Sequence, residues 1–73
     1  MTIVHESQQK DDFIVEIRQE KAEDCYMVYI LEEDGDLAYV KKKSAPIHSL
    51  EAARRTYRRY ISEVIKGGNH EEI

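Results

Sequence analysis

Apolar and polar positions follow two different periods along this chain, and the change of period falls after its middle. Residues 13–18 alternate with a period of two, which predicts a half-buried strand. Residues 25–31 are apolar or aromatic throughout, which is typical of a central strand that is covered on both faces. Residues 37–41 predict a third strand, because the preceding Asp34-Gly35 is the strongest short signal for a hairpin turn.

From residue 49 onward the apolar residues follow the period of an α-helix. At about 100° per residue, six of them share one side of a helix that runs to residue 66. They are Leu50, Ala53, Tyr57, Tyr60, Ile61 and Val64. Ser49 suits the N-cap, and Gly67-Gly68 suits the helix end. These elements predict an α+β fold, in which a three-stranded antiparallel sheet (β-β-β-α order) carries one C-terminal helix packed on one face.

The chain is expected to hold a single βββα domain at residues 13–66. Residues 1–12 are interpreted as an N-terminal arm or a short edge strand, residues 19–24 as the first hairpin loop, and residues 67–73 as a polar tail. A chain of 73 residues buries only about 60% of the surface that it exposes when unfolded. Association with another chain is therefore an expected source of stability.

One helix covers only one face of such a sheet, yet the central strand is apolar on both faces. Counting outward from a turn at Asp34-Gly35 groups Tyr26, Val28, Ile30, Leu37 and Tyr39 on one face, and Met27, Tyr29 and Leu31 on the other. The helix can cover either set, because a one-residue slip exchanges the faces. Tyr26, Val28, Ile30 and Tyr39 are the candidate partner-binding residues.

An uncovered apolar sheet face needs an occupant, since large exposed apolar patches usually mark interaction sites. Three occupants fit the sequence. They are a second copy of the chain, a different protein, and the N-terminal residues folding back through Ile3 and Val4. A homodimer or larger homo-oligomer is the expectation that we place first.

The outer side of the helix carries four arginines, Arg54, Arg55, Arg58 and Arg59, although the chain is acidic. It holds 11 Lys and Arg against 15 Asp and Glu, a net charge of −4. The arginines are interpreted either as a solvated surface, neutralised in part by Glu51–Arg55 and Arg59–Glu63 pairs, or as a recognition surface. Guanidinium groups bind carboxylates and phosphates in a fork, so an acidic protein surface and nucleic acid both fit. The acidic balance disfavours nucleic acid.

Lysines 41–43 extend the third predicted strand. On an edge strand, lysines discourage edge-to-edge aggregation. Together with Tyr26 and Tyr39 they could instead form a stacking surface for single-stranded nucleic acid.

The sequence carries no pattern that indicates catalysis, so no enzyme activity, cofactor or metal is expected. His5, His48 and His70 lie far apart and lack the close spacing of metal ligands. The single Cys25 excludes an internal disulfide and is interpreted as a small buried residue. No apolar run reaches the ~18 residues of a membrane span, and no signal peptide is visible. A cytoplasmic protein without membrane contact is expected.

Three strands followed by a helix resemble several small domains over residues 13–66. The order is similar to that of antitoxin domains of the HicB type, of arm-binding domains of phage integrases, and of the second half of double-stranded RNA-binding domains. The shared sequence features are the Asp34-Gly35 hairpin and the helix start at residues 49–53. Both features are generic, so no functional residue is carried over from these families.

The sequence therefore predicts a small, non-enzymatic interaction or regulatory protein. Its expected working surfaces are the open sheet face and the arginines of the helix. The alternative is a nucleic-acid-binding module that uses the same arginines on phosphates.

Overall fold

The computed structural model describes residues 2–20 and 24–67 and places them in one sheet and one helix. The elements are β1 (Thr2–Lys10), β2 (Phe13–Glu20), β3 (Cys25–Asp34), β4 (Leu37–Lys43) and α1 (Leu50–Gly67). Each strand pairs antiparallel with the next, so the sheet order is β1-β2-β3-β4. The α+β class with one C-terminal helix is confirmed. The number of strands was predicted wrongly, because the sheet has four strands and not three.

The additional strand is β1, in the segment that was interpreted as an arm or a short edge strand. It pairs with β2 from Thr2, opposite Glu20, to Lys10, opposite Phe13. Asp11 has a φ of 56°, a left-handed conformation that Asp adopts more readily than most residues. Backbone hydrogen bonds hold an edge strand in place even where its side chains do not alternate between apolar and polar. The polar sequence of β1 therefore has no period-two pattern from which a strand could be predicted. β1 widens the sheet and does not fold back over its face.

The hairpin between β3 and β4 turns one residue later than predicted. Asp34 lies opposite Leu37, so Gly35 and Asp36 form the loop. Gly35 has a φ of 68°. A two-residue turn with Gly first needs a positive φ at that position only, whereas a turn over Asp34-Gly35 needs it at both positions. The predicted turn over Asp34-Gly35 is therefore wrong.

The pairing of β3 with β4 also differs from the prediction. Leu31 lies opposite Val40, two residues beyond the predicted partner. Lys41 is then an extra residue on β4, where the register shifts, and Tyr29 lies opposite Lys43. Such a β-bulge bends the strand and changes which side chains share a face. Lys42, rather than Lys41 or Lys43, consequently lies on the side of α1.

α1 packs across β2 and β3 and closes the core on one face of the sheet. The buried core residues are Val15, Ile17, Val28, Ile30, Ala53, Tyr57 and Tyr60. The predicted apolar side of the helix is confirmed, because its six residues lie in this core or pack against it. The helix covers the face that carries Tyr26, Val28 and Ile30. Burial under α1 corrects their assignment to an open face.

The connector from β4 to α1 is held against β3. The Ser44 amide donates to the Val28 carbonyl at 2.9 Å, and the Ser44 Oγ accepts from the Val28 amide at 2.9 Å. Tyr26 and Ile47 exchange two backbone hydrogen bonds of 2.7 and 2.8 Å. These bonds place the start of α1 over the first residues of β3.

The predicted N-cap is confirmed, since the Ala52 amide donates to the Ser49 Oγ at 3.1 Å. α1 ends at Gly67. The rest of the predicted tail, residues 68–73, lies outside the described residues. The same holds for residues 21–23 of the predicted first loop, whose residues 19 and 20 belong to β2.

Candidate functional site

The sheet face that points away from α1 is called the open face below. Side chains alternate between the two faces along each strand, so the register of the sheet defines its members. They are Thr2, Val4, Ser7, Gln9, Ile14, Glu16, Arg18, Glu20, Cys25, Met27, Tyr29, Leu31, Glu33, Ala38, Val40 and Lys43. A partner that docks on the open face therefore meets Met27, Tyr29 and Leu31. These residues form the second of the two faces that the sequence predicted for the hairpin.

Long polar side chains of the protein shield part of the open face. The guanidinium carbon of Arg18 lies 4.4 Å from the centre of the Tyr29 ring, and its Nε lies 2.7 Å from the Glu16 Oε2. The amide of Gln9 donates to the Glu33 carboxylate at 2.8 Å. Leu31 on the same face is only 7% exposed, although no helix covers it. The apolar patch is smaller than the sequence alone indicates.

Two valines remain exposed at opposite sides of the open face. Val4 on β1 is 49% exposed and Val40 on β4 is 55% exposed. Between them, Ile14, Met27 and Tyr29 are half-buried. An exposed apolar residue alone is ordinary, but these five share one face of the sheet.

A shallow depression of about 60 Å³ lies at one end of the open face, between β1, β2 and β3. The Thr2 hydroxyl donates to the Glu20 Oε2 there at 2.7 Å and lowers the pKa of that carboxyl. Cys25, Met27 and Tyr29 also line it. Small-molecule sites typically have volumes of about 300–1,000 Å³. The open face therefore suits contact with another surface better than enclosure of a ligand.

The structure separates the two tyrosines that the sequence analysis combined. Tyr39 is 49% exposed, since α1 lies over β2 and β3 and meets β4 only at the side chain of Lys42. Tyr26 packs against the core, and its ring centre lies 5.4 Å from that of His5. Tyr39 lies opposite Glu32, six residues along β3 from Tyr26, which is about 20 Å at 3.3 Å per residue. They do not form one stacking surface.

The arginine face is defined as Arg54, Arg55, Arg58 and Arg59, and all four side chains are exposed. Arg54 pairs with Glu6 at 2.7 Å and so joins α1 to β1. Within the described part of the chain, the other three arginines form no ion pair. Arg58 reaches only the Arg54 carbonyl, at 3.4 Å, and Arg59 lies 5.8 Å from the Tyr60 ring.

The two ion pairs expected to neutralise the arginine face are not formed among the described residues. Glu63 pairs with Lys42 of β4 at 2.8 Å instead of with Arg59. Lys42 also lies 4.8 Å from the centre of the Tyr60 ring. The spacing of residues along a helix predicts only ion pairs within that helix. Here Lys42, from a neighbouring strand, pairs with the Glu63 carboxylate instead. Positive charge consequently remains on the outer side of α1.

No protein-family model matches the chain, and no curated protein or solved structure matches it. The resemblance in element order therefore gains no support from these comparisons. Residues 2–20 and 24–67 contain no group of three His, Cys, Asp or Glu side chains placed to hold a metal ion. In the same residues, no helix has both the length and the apolar content required to cross a membrane.

Proposed function

We propose that this chain is a non-enzymatic protein-interaction protein with two contact surfaces, the arginine face and the open face. The arginine face recognises an acidic segment of a different protein. The open face serves association. Both surfaces are exposed on opposite sides of a two-layer fold, so one does not obstruct the other.

The observation that carries the proposal is the unbalanced charge on α1. Arg55, Arg58 and Arg59 lack a carboxylate partner among the described residues, while two of the nearby acids are already paired, Glu6 with Arg54 and Glu63 with Lys42. Arginines that share a helix surface three and four residues apart are neighbours. Their guanidinium forks match carboxylate geometry, and an acidic strand or helix supplies several carboxylates at once.

Nucleic-acid binding is the second candidate function, because the same guanidinium groups also fit phosphates. The exposed Glu51 in the first turn of α1 and the net charge of −4 oppose a polyanion that extends beyond the arginine face. A short acidic peptide needs contact only with the arginines themselves. The peptide is therefore the better match.

The test is titration of the chain with an oligoglutamate peptide, a short DNA duplex and a short single-stranded RNA, each at several salt concentrations. We expect binding to oligoglutamate that weakens as salt rises, since exposed charges are screened. The variant Arg55→Ala/Arg58→Ala/Arg59→Ala should lose this binding and keep its helix, because Ala is the best helix former.

The matched control is Arg55→Lys/Arg58→Lys/Arg59→Lys, which keeps the charge and the helix propensity but removes the guanidinium fork. It should bind oligoglutamate more weakly than the parent chain and more strongly than the alanine variant. Equal binding by the parent and alanine chains would refute the proposal. Tighter binding of DNA or RNA than of oligoglutamate would replace it with the nucleic-acid function.

A further inference from the structure

We infer that the occupant of the open face is a second copy of this chain, related by a two-fold axis that runs along β3. The inference rests on the part of the proposed function that assigns the open face to association, and it is independent of the arginine face. Its basis is the order of side chains across the sheet. Two consecutive rows across β2, β3 and β4 are Glu16, Tyr29, Lys43 and Ile14, Leu31, Val40.

Each of these two rows is complementary to the same row of a second copy. A two-fold axis along β3 sets β3 of one copy against β3 of the other, and β2 of each copy against β4 of the other. Ile14 then lies opposite Val40 of the second copy, and Glu16 lies opposite Lys43 of the second copy. Within these two rows, apolar residues meet apolar residues, and carboxylates meet ammonium groups, on both sides of the axis. An isologous interface requires this self-complementary arrangement.

The edges of the sheet are less suited to association than the open face. Each edge strand carries a register shift, at His5 in β1 and at Lys41 in β4. β4 also ends in lysines 41–43. Bulges and lysines on edge strands disfavour pairing with another strand. Two copies therefore associate face to face, as the sheets of a β-sandwich do.

The overlap of the two copies fits a weak, concentration-dependent dimer. An axis along β3 overlaps three strands of each copy, because β1 lies beyond β4 of the second copy. Three strands about 4.8 Å apart and about eight residues of 3.3 Å each give a plan area of about 380 Å² per copy. This is below the ~600 Å² per partner at the lower end of stable specific interfaces. The shielding by Arg18 and Gln9 makes this interface partly polar at its surface.

Face-to-face packing has a consequence for the proposed function. The two helices lie on the outer sides of the dimer, separated by three layer spacings of about 10 Å each. The helix axes are therefore about 30 Å apart, and the two arginine faces on their outer sides are about 40 Å apart and point in opposite directions. Such a dimer bridges two acidic segments or binds one bivalent partner with gain of avidity.

The first experiment compares two lysine substitutions on β4 by light scattering over a concentration series. Val40→Lys places a charge on the open face, and Leu37→Lys places the same charge on the other side of the same strand. Val40 is 55% exposed and Leu37 is 59% exposed, so neither change removes a core residue. We expect Leu37→Lys to dimerise as the parent chain does, and Val40→Lys to raise the dimer dissociation constant more than about tenfold.

The second experiment tests the axis by exchanging charges between rows. Glu16→Lys alone sets lysine opposite lysine, and Lys43→Glu alone sets glutamate opposite glutamate, so each variant should stay monomeric. Their equimolar mixture should form a heterodimer, because the contacts between positions 16 and 43 are then between opposite charges. Glu16→Lys also loses the pair with Arg18, so circular dichroism must first show that it is folded.

The outcomes separate the inference from the proposed function. A parent chain that stays monomeric, or equal dimerisation of Val40→Lys and Leu37→Lys, overturns the homodimer on the open face. Dimers of both single charge variants, or no heterodimer from two folded variants, overturn the axis along β3. Oligoglutamate binding by the monomeric Val40→Lys variant reports on the arginine face alone, and it is expected to persist.

Discussion

The two faces of the sheet differ in how deeply they bury the same type of residue from the same strand. On β2, Ile17 points toward α1 and is 0% exposed, whereas Ile14 points to the open face and is half-buried. The helix supplies Tyr57 and Tyr60 as a continuous apolar cover for one face. The other face receives only the side chains of its own strands.

The difference lies in how firmly each cover is held. α1 is packed into the core and is flanked by the ion pairs Arg54–Glu6 and Lys42–Glu63, one on each side. On the open face, Arg18 is held over Tyr29 by a single ion pair with Glu16. Pairs near the protein surface contribute about 0–1 kcal/mol each. A docking partner can therefore displace the Arg18 side chain from the open face at a low cost in free energy. It cannot displace the helix without unfolding the core.

The largest expected effect comes from shortening the two isoleucines of β2. Ile17→Ala should lower the free energy of unfolding by about 2–5 kcal/mol, since it removes fully buried groups and leaves a cavity. Ile14→Ala should cost about 1 kcal/mol when measured at low protein concentration, because that side chain is half-buried. Urea unfolding measures both values. Equal losses would mean that Ile14 and Ile17 are equally buried in solution, contrary to the structure.

A smaller effect is expected where the connector holds α1 over its face. Ser44→Ala should lower the free energy of unfolding by about 1–3 kcal/mol, since it leaves the buried Val28 amide without its side-chain acceptor. Ser62→Ala on the exposed surface of α1 is the control and should stay within about 0.5 kcal/mol of the parent chain. A Ser44→Ala variant as stable as the control would show that this hydrogen bond contributes nothing.

The covered face also predicts a change of stability at high pH. Burial raises the pKa of the Tyr57 phenol, and the Glu6 carboxylate raises it further. The unfolded chain therefore loses this proton from about pH 10, before the folded chain does, so stability falls as pH rises above that value, by up to about 1.4 kcal/mol per pH unit. Tyr57→Phe should make the decline shallower than in the parent chain. Identical alkaline unfolding curves for Tyr57→Phe and the parent chain would contradict this assignment.

The elements with strong apolar periodicity could be predicted from the sequence. The six helix residues, the central strand and the N-cap at Ser49 were all predictable, because burial dictates their residue types. β1 was predicted only in part, since an edge strand is held by backbone hydrogen bonds that any polar residue supplies. The adjacent Asp11 and Asp12, residues common in turns, were the available sequence signal for the end of β1.

The candidate site was harder to predict, because it depends on register. Moving the β3–β4 loop from Asp34-Gly35 to Gly35-Asp36, and adding a bulge at Lys41, changed the partners of Tyr29 and Leu31. Which face α1 covers follows from the packing of the whole helix, and the sequence left that choice open. Contacts between strands, such as Arg18 over Tyr29, also require the register before they can be foreseen.

The most direct test of the difference between the two faces is the mass of the parent chain in solution, measured by light scattering from low to high concentration. We predict twice the mass of one chain at high concentration and a decrease toward the monomer on dilution, because the open face associates with its own copy. The mass of a single chain at every concentration, with the fold intact, would contradict the account. The open face would then be shielded only by its own side chains, without a second copy.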